Sequence, residues 1–351
     1  MISFLLHRKK FFPAHGISRL KFYFFQSSCY YSIKNRFFKT KILQSQTLRI
    51  KLRQFIIKEV HLSVDLHIHS TASDGTVPPE KLPELAAAAG LTAIALTDHD
   101  TVKGLPSFLA RQADFRQVQL IPGIELSSSN GAREMHIVGL FIDPDNAQLQ
   151  EFTNSMQHER VIRAQAMQQK LHSLGYEVTD EDLIAAGAPE GIPGRPHFAE
   201  VLVSKYNFPD IKSVFERLLK RGCAGYVPRQ LSSPAEVISV IKAAGGVAIW
   251  AHLFSSRNNE NNFIRRTLKE LKTAGLDGIE AYYSEYTPTK TQTALSMAQE
   301  LNLAISGGSD FHGAIHPDIQ LGTGRGNLQV PDDVLLSLER ARVPKIVIMG
   351  K

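Results

Sequence analysis

From Val64 onward, short apolar runs alternate with segments of helical period, and this alternation narrows the fold more than any other feature. The runs "VDLHIHS", "TAIALTDH", "VQLIPGIEL", "EMHIVGLFI", "VAIWAH", "DGIEAYY" and "LAISGGSD" read as strands. Between them, "PEKLPELAAAAG", Ser107–Phe115, "SPAEVISVIKAAGG", Phe263–Ala274 and "KTQTALSMAQELN" read as helices, the first stopped by Gly90. Strands that alternate with helices of this length imply an α/β protein with a mostly parallel sheet. Seven strands in one body favour a closed barrel over an open sheet. The rhythm breaks once, from about residue 145 to residue 230. That stretch is helical, with Thr179 placed to cap a helix three residues before Asp182. It is expected to be a small helical subdomain inserted between two strands.

Residues 1–62 do not share this pattern. The first 58 residues hold 13 Lys and Arg and no Asp or Glu, together with 12 of the 29 aromatic residues. The formal charge of +6 therefore belongs to the leader, and the rest of the chain carries 27 basic and 34 acidic residues, a balance of −7. A basic pI is then no argument for a nucleic-acid groove. The leader is richer in Phe and Tyr than a transit peptide, and "MISFLL" is short for the core of a signal peptide. Translated upstream AT-rich sequence before a mis-assigned start is the favoured expectation, with an organelle-targeting segment second. The functional body is expected to span residues 63–345. Two cysteines, Cys29 and Cys223, exclude a disulfide scaffold and a thiolate-rich zinc module. They fit a reducing compartment, and the cytoplasm is the expected location. No apolar run nears the roughly 18 residues that span a bilayer.

The chemistry lies at the strand ends. In a parallel α/β barrel the carboxyl ends of the strands converge on one face. Here those ends read "HIHS", "TDHD", "GIEL", "IWAH" and "GSDFH". His67 and His69 stand two apart on a strand, so both rings point to one side. Asp74, Asp98, His99, Glu125, His136, His252, Asp310 and His312 complete the set. Each has an ordinary structural explanation: a core histidine, a turn aspartate, a helix cap, a solvated acid. Together they do not, because that many titratable groups gathered on one face would stay unsatisfied or repel without a cation. Imidazole and carboxylate donors without thiolate suit Mn, Fe or Zn in a reactive site.

The segments "DLHIHSTASDGT", "ALTDHDT", "GIELSS", "HIVGL", "AHL" and "GSDFHG" resemble, in order and spacing, the motifs of the PHP (polymerase and histidinol phosphatase) superfamily. The likeness runs over about residues 63–340. It is strongest to the stand-alone bacterial branch with a helical insertion, that of RNase AM and the 3′,5′-nucleoside bisphosphate phosphatases. That branch carries "RPHFA" and "YVPR", present here at Arg195–Ala199 and Tyr226–Arg229. Leu253 stands where the family usually has proline, a departure expected to alter a loop and not a ligand.

The resemblance implies a distorted (β/α)7 TIM-like barrel that holds three divalent metal ions, Mn2+ first, Fe2+ or Zn2+ as alternatives. It implies His67, His69, Glu125 and Asp310 around the first. Asp74, His99 and His312 would surround the second, and Glu125 with His136 and His252 the third. Asp98 would support its neighbour from behind. Water activated by the cations would be the nucleophile, with no covalent protein intermediate. Arg195 and His197, and more weakly Arg229, are candidates for gripping a second phosphate; Arg195–Phe198 also reads as a helix start with Pro196 in its first turn. The implied substrates are a nucleoside 3′,5′-bisphosphate, losing its 3′-phosphate, or short 5′-phosphorylated RNA degraded 5′ to 3′. No membrane partner is expected. The oligomeric state is open, with a monomer as default. A histidinol-phosphatase-like monoesterase is the enzyme alternative, and the insertion with "RPHFA" argues against it. An inactive polymerase-associated or metal-sensing module is the other alternative; such modules lack ligands, and all nine are present here.

Overall fold

The computed structural model describes residues 63–131, 133–188, 193–255 and 261–342. The expectations for the leader, and the last three residues assigned to the body, lie outside these.

Seven strands form one sheet in sequence order: β1 (Val64–Ile68), β2 (Ala93–Leu96), β3 (Gln119–Ser129), β4 (Glu134–Leu140), β5 (Val247–Trp250), β6 (Gly278–Tyr283) and β7 (Ala304–Gly308). A parallel bridge from Ile68 to Phe311 brings the two ends of the sheet together, so the barrel nearly closes. The expected fold class holds. One strand departs from the parallel rule: β4 runs antiparallel to both β3 and β5. The connection from Ser129 to Glu134 is too short for a crossover helix, so it can only turn back as a hairpin. β3 is also longer than its apolar run, because Ser127–Ser129 continue the ladder against Glu134–His136.

The helices α1 (Leu82–Ala88), α7 (Pro234–Ala243), α8 (Asn261–Thr273) and α9 (Pro288–Leu301) form where the sequence predicts them. Helix α2 (Leu105–Leu109) begins and ends earlier than the expected Ser107–Phe115, and α10 (Asp333–Arg342) follows β7 as a helix the sequence reading did not include. Helix α1 ends where the sequence says it should: Gly90 adopts φ +75°, the left-handed turn that only glycine enters freely. Residues such as Ile94, Leu96, Ile124, Ile137, Ile238 and Leu268 are buried between the barrel wall and its helices. A second apolar layer, including Leu66, Ala95, Ile121, Val138 and Ile249, fills the barrel interior. Alternate residues of each strand thus serve the two layers.

The insertion leaves β4 and returns at α7, as expected. It consists of α3 (Ala147–Ser173), α4 (Asp180–Ala185), α5 (Arg195–Lys205) and α6 (Ile211–Val214), with a core of its own around Leu171, Phe198 and Leu219. Thr179 caps α4, and Asp182 reciprocates by accepting from the Thr179 amide. Among the described residues no helix is long and apolar enough to cross a membrane.

Candidate metal centre

The nine candidate ligands gather at one end of the barrel. His67 and His69 project side by side from β1 and its end. Their Nε2 atoms lie 3.4 Å each from Glu125 Oε2, and 3.5 and 3.2 Å from Asp310 Oδ1. Asp74 faces His99 Nε2 at 3.7 Å and His312 Nε2 at 3.3 Å. His136 Nδ1 and His252 Nε2 each come within 2.9 Å of Glu125 Oε1. The groups are not disjoint. His69 also stands with Asp74, His99 and His312, and His99 also stands with Glu125 and His136; within each such group the donor atoms lie within 4.8 Å of one another.

Close backbone approach makes this convergence possible. A β-carbon on Gly308 would sit 2.5 Å from the His67 nitrogen, so only glycine lets β7 press against β1 there. Asp310 and His252 have φ of +58° and +32°, left-handed values that turn each side chain inward at a strand end.

Six buried side-chain atoms in this cluster have no hydrogen-bond partner: His67 Nε2, both ring nitrogens of His69, Asp74 Oδ1, His99 Nδ1 and Glu125 Oε2. Each such atom costs about 1–3 kcal/mol if left unmet. Lone pairs of imidazole and carboxylate that point at one another across 3–4 Å are what a divalent cation satisfies, so the residues fit metal ions. The electrostatics agree. Burial alone would raise the Glu125 carboxyl, but His99, His136 and His67 hold it well below the usual carboxylate range. Burial, with His312 and His99 beside it, pushes the His69 ring down to about 3, so it is a neutral donor.

Other residues sit behind this shell. Asp98 does not touch the His99 ring in the structure's hydrogen-bond pattern; its carboxylate accepts from the Ser70 amide and hydroxyl and from Ser73, bracing the loop that carries Asp74. Sequence reasoning passed over three buried acids. Asp65 accepts from Ser309 and from the Gly322 amide. Glu280 accepts from the His252 amide and pairs with His67 Nδ1. Asp100 is fully buried against Arg160, Arg229 and the Ser127 amide. An acid inside an apolar strand, as in "VDLHI" and "GIEAYY", is a visible signal that such a partner exists.

Beside Asp74 and His99 opens a cavity of about 270 Å³ whose other walls include Lys103, Gln157, Arg160 and His197. His197 Nδ1 accepts from the Gly194 amide and caps its own helix, which leaves Nε2 as the donor. Arg195 lies next to this cavity's wall, its guanidinium near the rings of Phe215 and Tyr226. Arg229 is engaged by Asp100 and Ser127. Burial, together with the charges of Arg195 and Arg229, pushes Arg163 down to about 10, so the three arginines lie within electrostatic reach of one another. Arg160 and Lys103 gave no sign in the sequence, where they look like ordinary surface cations.

The PHP domain profile matches residues 65–223. A 3′,5′-nucleoside bisphosphate phosphatase of Chromobacterium violaceum is 34% identical over 251 residues, 71% of this chain and 87% of that protein. The 5′-3′ exoribonuclease Rnm of Escherichia coli is 33% identical over 263 residues, 74% of this chain and 87% of that one. A crystal structure of a Bifidobacterium adolescentis protein superposes with a TM-score of 0.71 at 27% identity, covering 81% of this chain and 98% of that one. With this likeness along most of both chains and a donor set suited to cations, the chain belongs to the PHP domain family and is a metal-dependent phosphoester hydrolase.

Proposed function

We propose that the protein hydrolyses the 3′ phosphoester of a nucleotide that it holds by a 5′-phosphate. The substrates would be nucleoside 3′,5′-bisphosphates and short 5′-phosphorylated RNA. One observation carries this: a single cavity joins the Asp74 and His99 end of the cluster to a wall holding the cations Lys103 and Arg160 and the His197 donor. A substrate with two separated phosphates meets both ends at once. Of the relatives above, one is named a 3′,5′-nucleoside bisphosphate phosphatase and the other a 5′-3′ exoribonuclease.

The nine residues His67, His69, Asp74, His99, Glu125, His136, His252, Asp310 and His312 are assigned as ligands of three divalent ions, Mn2+ first among them. Such ions neutralise phosphate oxygens and activate water near neutral pH. The chain's own part is placement. The His197 Nε2–H and the Arg160 guanidinium offer hydrogen bonds to the distal phosphate, and Arg195 and Arg229 add positive potential behind them. That binding fixes the sugar so that its 3′ ester faces the cluster, which turns affinity into orientation. A cytoplasmic location and a monomeric state are part of the same reading.

The deciding assay sets the Mn-loaded protein against a nucleoside 3′,5′-bisphosphate, a 5′-phosphorylated oligoribonucleotide and histidinol phosphate side by side. The first two are expected to turn over well and the third poorly. Preferred turnover of histidinol phosphate would replace this reading with a monoesterase.

A further inference from the structure

We propose that Glu280 is a positioning residue that ties His67 and His252, two of the imidazoles around Glu125, into one unit. The inference rests on the cluster being a cation site.

Glu280 lies on β6, almost wholly buried. Its Oε1 is 2.9 Å from His67 Nδ1 and its Oε2 is 2.7 Å from the His252 backbone nitrogen. An ionised carboxylate only accepts, so with a cation at Nε2 the His67 proton must sit on Nδ1. Nε2 is then a lone pair facing Glu125 and Asp310. The second bond acts on a backbone. His252 has φ +32°, a conformation that a residue with a β-carbon leaves unless it is held. Held there, its Nε2 reaches Glu125 Oε1 at 2.9 Å. The His67 and His252 rings stack with centroids 6.0 Å apart. One carboxylate thus sets one ring on each oxygen of another.

No other side chain of this size does both. Glutamine would place its amide NH2 against one of two donors, whichever way it turned. The carboxylate behind His67 also makes that ring a stronger donor to a cation. No hydrogen bond or ion pair joins Glu280 to Asp74 or His312, so its influence should be greatest around Glu125 and least at those two residues.

The test uses the full chain with Glu280→Gln, loaded with Zn2+ alone and titrated against a chelator. Ring nitrogen-15 shifts of His252 and His312 report which positions empty. Expected is about 10–100-fold weaker binding at the positions around Glu125, with the ion at Asp74, His99 and His312 held as in wild type. The Zn-loaded wild type should show a far-downfield proton on His67 Nδ1, displaced or lost in the variant. Unchanged affinity at every position overturns the proposal. So does equal weakening of all ions, which is what general loosening would give. Should the variant fail to fold, the wild-type spectrum decides alone: a Zn-loaded His67 with its proton on Nε2 overturns the coupling, and one on Nδ1 supports it. A wild-type protein that binds no Zn2+ or Mn2+ overturns the cluster assignment as well, a result distinct from the others.

Discussion

Asp310 shows how little a candidate ligand gives to packing in this site. Its carboxylate meets His67 and His69, and Tyr283 donates to its other oxygen. Burial opposes its charge, but His67 and His69 hold it well below the usual range. Asp310→Ala or His69→Ala removes a lone pair from a site already short of partners, yet little apolar volume. Turnover should fall by at least about 100-fold, since the cations supply the charge stabilisation. Elemental analysis should find fewer bound ions, and circular dichroism should find the fold kept. Full metal content with full activity would refute the ligand assignment. Asp100 behaves differently. It is fully buried and holds two half-buried arginines from two segments. Asp100→Ala takes the carboxylate from Arg160 and leaves Arg229 with Glu134 at 3.6 Å and the Ser127 hydroxyl, and unfolding stability should drop by up to about 3–5 kcal/mol, read from thermal or urea unfolding. The sign with pH follows. Burial would raise the Asp100 carboxyl, but Arg160 and Arg229 depress it below its ordinary 3.8. Its contribution is therefore complete above that value and is lost only as the pH falls below it.

The insertion is the element on which selectivity should turn. Arg160 comes from α3 and Arg229 from the strand-bound return, and both converge on Asp100. Arg163 and Lys170 of α3 donate to the carbonyls of Val227 and Tyr226, so helix and return segment move together. Arg160→Ala should cost about tenfold to a hundredfold on a 5′-phosphorylated substrate, the worth of a charge-assisted bond of roughly 1.5–3 kcal/mol. It should cost little on p-nitrophenyl phosphate. Arg195→Ala should act in the same direction and more weakly, since it stands behind the wall. Equal losses on both esters would remove the insertion from substrate choice. At this scale the sequence was most legible where period and capping speak: Gly90, Thr179 and the boundaries of α7 all fall where local chemistry puts them. It was least legible where contact is long-range. Nothing local marks Arg160 off from the other cations of α3, because its partner lies sixty residues away. The antiparallel run of β4 was open to inference from its short connection to β3, but the helical rhythm on either side masked it. The ligand-type residues stood out because histidine and carboxylate at successive strand ends have no common purpose in a plain scaffold. Glu280 and Asp65 carry the same mark in mid-strand.

At the scale of the molecule, the described barrel and cluster are built from Ser63 onward, and the candidate ligands begin at His67. A chain that starts at Val60 should therefore bind metal and hydrolyse as well as the full chain. It should also be more soluble, having shed 13 of its 40 basic residues with their aromatic neighbours and gone from net positive to net negative. Lower specific activity after this truncation would assign the leader a working role. The insertion, by contrast, lies wholly between His136 and His252, and it contains none of the nine candidate ligands. The candidate ligands thus lie outside the insertion, while Arg160 and His197 of the cavity wall lie within it and Lys103 does not. The two stretches meet at one point, because Arg160 and Arg229 pair with Asp100 of the barrel, so any replacement for the stretch from β4 to α7 must bring its own partners for that carboxylate. A lineage could keep its hydrolytic face fixed while trialling new substrates, one insertion at a time.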